Sequence, residues 1–220
     1  MDRLHRRFVA PGDLVFDVGA HVGDRVASFR RLGARVVAIE PQRAMACVLR
    51  ILYGLDRSVA IEQMAVGRAV GAARMMINVD NPTVSSVSAA FIDAARDAPG
   101  WETQRWTRAA DVTVTTLDAL IARHGGPAFI KLDVEGFEAE ALHGLSQAVP
   151  VLSFEFTTIQ REVALGCIAR CSALGYAGFN AALGESQALS DDWMNAEAIA
   201  RWLVELPQSA NSGDIYARIA

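Results

Sequence analysis

The chain has 220 residues, 52% hydrophobic and 21% charged, which excludes a wholly disordered polypeptide and allows a sizeable core. A formal net charge of −4, without a basic run interleaved with aromatics, gives no electrostatic case for nucleic acid and favours small-molecule or sugar ligands. Cys47, Cys167 and Cys171 make no disulfide framework, and the last two, four apart on a predicted helix, read as buried thiols.

Residues 1–12 form a basic, amphipathic lead-in closed by Pro11-Gly12, without the apolar stretch of a signal peptide. No run reaches the roughly 20 apolar residues needed to span a bilayer, so the cytoplasm is the expected location. Strand one is Leu14–Val18, followed by the glycine-spaced turn GAHVG and a helix from Val22 to Leu32 that stops at Gly33. Strand two, Arg35–Ile39, ends on Glu40. Pro41 opens a helix to about Tyr53, and strand three is expected over Ser58–Val66.

Residues 67–80 read as a hairpin appended to the sheet. The weakly periodic excursion 81–110, with Trp101 and Trp106, reads as a lid or binding loop. Regularity resumes with a strand at Val112–Thr115, a helix at Leu117–Arg123, strand four at Ala128–Leu132 and a helix at Phe137–Leu145. Strand five is Val151–Phe156. A helix over Glu162–Leu174, a short strand at Tyr176–Phe179, helix-like residues at Glu197–Glu205 and a last strand at Ile215–Ile219 complete the chain. This alternation predicts an α/β fold, one domain over 1–220, with a mostly parallel sheet covered by helices on both faces.

A strand–loop–helix–strand unit ending on an acid is half of a nucleoside-binding sheet. A dinucleotide fingerprint needs three close glycines; Gly19 and Gly23 stand without the third, with His21 between them. The spacing therefore points from NAD toward S-adenosylmethionine. Asp17 is placed to meet the amino group of an amino-acid moiety or nearby water, and Gly19 to let backbone approach ligand. Gly23 is expected to bring the helix close to strand one, and His21 to hold position in the turn. Helix-start amides suit a carboxylate, and Glu40 suits two ribose hydroxyls. Met64, Ala65 and Val66 are the expected adenine contacts.

The second constellation is KLDVEGFEAEAL at 131–142. Asp133 and Glu135 follow an apolar strand, where carboxylates take a hydroxyl proton, hold a cation or orient substrate. Glu138 and Glu140 read as a solvated face. Glu155 interrupts the apolar run VLSFEF and is expected near Asp133, in a cluster suited to a general base or to a divalent cation. No metal ligand is assigned. Lys131, the single lysine among 21 Lys and Arg side chains, is given no role.

These stretches resemble the FkbM-type methyltransferases, a branch of the class I S-adenosylmethionine-dependent enzymes. The similarity lies in VFDVGAHVGDRVASF at 15–29, VVAIEP at 36–41, IKLDVEGFEAEALHG at 130–144, LSFEF at 152–156 and GDIYARI at 213–219. It implies a Rossmann-like, doubly wound, seven-stranded sheet with an antiparallel last strand. It also implies methyl transfer, usually to a hydroxyl oxygen of sugars, glycans or polyketide-type products. Asp17, Gly19 and Gly23 then belong to the cofactor loop, Glu40 to ribose binding, and Asp133, Glu135 and Gly136 to the active-site rim. Asp133, helped by Glu135 or Glu155, is the expected proton acceptor, and Trp101 and Trp106 the expected substrate contacts. N- or C-methylation and a non-catalytic nucleoside-binding domain are the rival readings.

Overall fold

Alternation of core-facing side chains along Leu14–Val18 (β1) puts Leu14, Phe16 and Val18 into one hydrophobic cluster and Val15 into another, on opposite faces of a sheet. The computed structural model describes residues 1–219, apart from the side chain at 185. Following β1 come α2 (Asp24–Arg31), β2 (Arg35–Ile39), α3 (Arg43–Tyr53) and β3 (Val59–Glu62); a short α1 (Asp2–His5) precedes it. The second half adds α5 (Leu117–His124), β7 (Phe129–Leu132), α6 (Glu138–His143), β8 (Val151–Thr157), α7 (Arg161–Leu174), β9 (Gly178–Leu183), α8 (Ala196–Glu205) and β10 (Ser212–Arg218).

The main sheet has seven strands in the order β3-β2-β1-β7-β8-β10-β9, with β10 antiparallel to both neighbours. The expected doubly wound arrangement is the one observed. Leu4, Val26, Phe29 and Leu49 from α1–α3 cover one face. Leu117, Leu142, Ile168 and Leu203 from α5–α8 cover the other. Strand order reverses between β1 and β7, and the crevice beyond their carboxyl ends is where such a sheet binds ligands.

Three expectations need correction. The single strand over 58–66 divides at Gln63-Met64: β3 stays in the main sheet, whereas β4 (Ala65–Val66) pairs in parallel with β6 (Trp106–Thr115) of a separate three-stranded sheet. The hairpin over 67–80 is one strand, β5 (Gly71–Asn78), antiparallel to β6 and not attached to the main sheet. The excursion 81–110 is also more regular than expected. It holds α4 (Ala89–Arg96), capped by the Ser88 hydroxyl accepting from Phe91 N–H, and the first half of β6. Phe91, Ile92 and Ala95 bury one side of α4, and this burial rather than a long periodic run stabilises the helix.

Candidate active site

The glycine turn is stitched to the end of β2. Gly19 and Ala20 N–H both donate to the Ile39 carbonyl, at 2.9 and 3.1 Å. The Glu40 carboxylate accepts from His21 N–H at 2.9 Å and from Gln42 N–H at 2.7 Å, one bond to each oxygen. His21 takes a left-handed φ of 47°, and Gly19 and Gly23 have φ of 85° and 93°. A Cβ on Gly19 would meet the Asp133 carbonyl oxygen at 1.8 Å, so this glycine lets two strand ends touch as well as lying at the cavity wall. A Cβ on Gly23 would lie 2.7 Å from the Tyr53 ring and 2.9 Å from Leu49. The second glycine therefore serves contact with α3, not with strand one as expected.

Above the strand ends lies a cavity of about 420 Å³, within the range of small-molecule sites. Glu40 lines it near the turn, Met64, Ala65 and Val66 form an apolar wall, and Trp101 reaches it from the insertion. His21 also lines it, with a buried Nε2 that has no partner among the described residues. Burial raises the Glu40 carboxyl to about 7 against the pull of its two backbone N–H bonds. Trp106 is not on the cavity wall: its indole N–H donates to the Val84 carbonyl at 2.8 Å, behind the wall that Val84 helps form.

Asp17 lies deeper than expected. It is fully buried on the α1–α3 face, outside the cavity lining, and both carboxyl oxygens lack a hydrogen-bond partner among the described residues. Burial pushes it up to about 6, with Arg25 and Lys131 pulling the other way.

Strand pairing assembles the second constellation. Leu132 is in register with Phe154, and Glu155 with Asp214, so Asp133, Glu155 and Asp214 stand in one row on neighbouring strands. The same face carries Lys131 one pleat below, and its Nζ reaches up to Asp214 at 2.6 Å and Asp133 at 3.4 Å. Arg25, from the first turn of α2, closes on Asp133 at 2.7 Å. Burial works to raise the Asp133 carboxyl, but Lys131 and Arg25 overcome it and hold it well below the usual carboxylate range. Burial favours a neutral Lys131, and Asp133 and Asp214 outweigh that effect.

Glu135 and Glu155 make no ion pair with a Lys, Arg or His among the described residues, and the pull of Lys131 on them is outweighed. Burial, then the neighbouring carboxylates, push both well above the usual range. Ligand oxygens of Asp133, Glu135 and Glu155 all lie within 4.8 Å of one another, and all three residues line the cavity. Glu135 has φ 53°, and its carbonyl accepts from the buried Ser86 hydroxyl of the insertion at 2.6 Å.

Glu138 is not on a solvated face. It is buried, and one of its carboxyl oxygens accepts from Val134 and Gly136 N–H at 3.0 and 3.3 Å, fixing the turn that presents Glu135. Glu140 does face outward and pairs with Arg68 at 2.5 Å. Arg25, Lys131 and Asp214 escaped the sequence reading. The signal for Lys131 was available: a lone lysine inside the apolar run FIKL needs buried acids.

The cavity combines an acid beside the glycine turn with an apolar wall, and the Asp133, Glu135 and Glu155 carboxyl groups line it at the strand ends. The model of the methyltransferase FkbM domain matches residues 17–198. No curated protein matches the chain. Among solved structures, the chain is similar to a precorrin-6y C5,15-methyltransferase from Geobacter metallireducens (12% identity, 99% of this chain and 85% of that one, TM-score 0.45). It is also similar to an S-adenosylmethionine-dependent O-methyltransferase from Thermotoga maritima (11%, 99% and 63%, TM-score 0.46). A third is a TehB-like S-adenosylmethionine-dependent methyltransferase from Corynebacterium glutamicum (13%, 100% and 86%, TM-score 0.46). The family match, spanning the glycine turn, Glu40, Asp133, Glu135 and Glu155, shows that this chain belongs to the FkbM family of S-adenosylmethionine-dependent methyltransferases.

Proposed function

We propose that the protein transfers the methyl group of S-adenosylmethionine to a hydroxyl oxygen of a sugar, glycan or natural-product acceptor. The observation that carries this reading is one cavity with the Glu40 carboxylate near the glycine turn and the Asp133–Glu135–Glu155 cluster at the strand ends beyond it. When bound, the cofactor supplies an electrophilic methyl on a sulfonium. The chain's residues must then align the acceptor, exclude water and take one proton.

Each Glu40 oxygen keeps a lone pair beyond its backbone bond, which suits the two ribose hydroxyls. Met64, Ala65 and Val66 supply the apolar surface for the base. Asp133, tied to Arg25 and Lys131, stays an anion that orients its neighbours, so Glu135 and Glu155 are better suited to receive the hydroxyl proton. An alcohol is a far weaker acid than a carboxyl, so proton loss accompanies formation of the new oxygen–carbon bond. The insertion 81–110, reaching the cavity through Val84, Ser85 and Trp101, forms the acceptor wall and closes over it as a lid.

Calorimetry with S-adenosylmethionine and S-adenosylhomocysteine tests the reading. Wild type should bind both, and Glu40→Gln should weaken binding about 10- to 100-fold, the worth of charge-assisted bonds to ribose. No uptake by folded wild type would overturn the cofactor site, and unchanged affinity in the variant would remove Glu40 from ribose binding. Screening hydroxyl acceptors with methyl-labelled cofactor, then locating the label by NMR, decides between oxygen and nitrogen or carbon as the methylated atom.

A further inference from the structure

We propose that Asp133, Glu135 and Glu155 form a site for one hard divalent cation, magnesium or manganese, which takes the acceptor hydroxyl as a further ligand. The role of the ion rests on the methyl-transfer reading above; the site itself rests on geometry and charge.

Two cations, the buried Lys131 and the half-buried Arg25, already balance two carboxylates. Lys131 pairs with Asp214 at 2.6 Å and Arg25 with Asp133 at 2.7 Å. Glu135 and Glu155 have no Lys, Arg or His in ion-pair reach among the described residues. One divalent ion supplies the cationic partner that both carboxyl groups lack. Oxygens from all three carboxyl groups converge within 4.8 Å, the span of a small oxygen-ligated ion. The cluster opens on the 420 Å³ cavity, which leaves coordination positions for water and for an acceptor oxygen.

A separate observation points to a ligand there. Gln160 is 4% exposed, and its Oε1 accepts no hydrogen bond among the described residues. That oxygen is aimed at the turn carrying Glu135: a Cβ on Gly136 would lie 2.6 Å from it. Gln160, Gly136 and Glu155 share a void of about 10 Å³, close to the size of one water. A water held by the ion would donate to Gln160 Oε1 and satisfy it.

The ion makes the hydroxyl bound to it a stronger acid, which meets the main chemical difficulty of the reaction. Each carboxylate has two oxygens, so one can ligate while the other receives the released proton. The oxygen–methyl bond forms as the sulfur–methyl bond breaks, and the proton leaves to the cluster. No redox partner is involved.

The test is a titration of chelator-stripped protein with manganese(II), read by the loss of the free-ion electron paramagnetic resonance signal, followed by displacement with magnesium. One saturable ion per chain is expected, with affinity falling at least ten-fold in both Glu155→Gln and Glu135→Gln. Circular dichroism and S-adenosylhomocysteine calorimetry on the same samples report folding and the cofactor site. No saturable uptake by wild type, or uptake that survives both substitutions, overturns the proposal. Manganese uptake without nucleoside binding would leave the ion site standing and bring down the methyl-transfer reading. Nucleoside binding without manganese would do the reverse.

Discussion

Gly19 and Asp133 are in backbone contact: a Cβ on the glycine would fall 1.8 Å from the aspartate carbonyl oxygen. Asp133 N–H in turn donates to the Val18 carbonyl at 2.9 Å, so the glycine turn and the carboxyl row share one joint.

Gly19→Ala should strain both halves of that joint. It places a side chain at φ 85° and forces strand β7 away from β1, at a cost of about 2–4 kcal/mol in stability. Denaturant unfolding measures the loss, and nucleoside affinity should drop with it. An unchanged midpoint would mean that the strand ends separate freely.

Asp17 should make stability depend on pH in a window set by its own shift. Folding raises its carboxyl from 3.8 to about 6, so between these values the folded chain holds a proton that the unfolded chain has released. The contribution of Asp17 to stability is therefore greatest at low pH and declines as pH rises through the window. Asp17→Asn removes the effect. The variant should gain on the order of 2–3 kcal/mol over wild type at pH 8, and much less at pH 4. Unfolding curves at both values, superimposable after a constant offset, would sink this.

The lid reading predicts a protease footprint. Arg96 and Arg105 are exposed on the insertion that supplies Trp101 to the cavity. Saturating S-adenosylhomocysteine should slow tryptic cleavage at these two sites several-fold, compared with cleavage at exposed Arg3 or Arg201 outside the insertion. Equal slowing everywhere would indicate general stabilisation. No slowing, with ligand bound, would leave the insertion as a fixed wall.

Apolar runs bounded by glycine and proline made β1, β2, β7 and β8 readable, because buried parallel strands carry hydrophobic residues on both faces. Asp133 and Glu135 were legible where such a run ends, and Glu155 as an exception within one. The division after Glu62 was not: apolar residues continue through Ala65 and Val66, and only tertiary pairing decides that β4 joins another sheet. Helix α4 escaped because two turns give little period, although Ser88 stood at its start. Arg25 reaches Asp133 across the chain, a contact that no local pattern encodes. Glu138 was misread because a helix-start acid looks solvated until the turn before it folds back over it.

Lys131 is the chain's single lysine, and 2% of its side chain is accessible, sealed beneath the carboxyl row. Amine-directed reagents consequently have one internal target in this polypeptide, and they reach it only when the carboxyl row paired with it opens. The pace of Lys131 acylation under native conditions is a built-in clock for that opening, free of background from any other lysine.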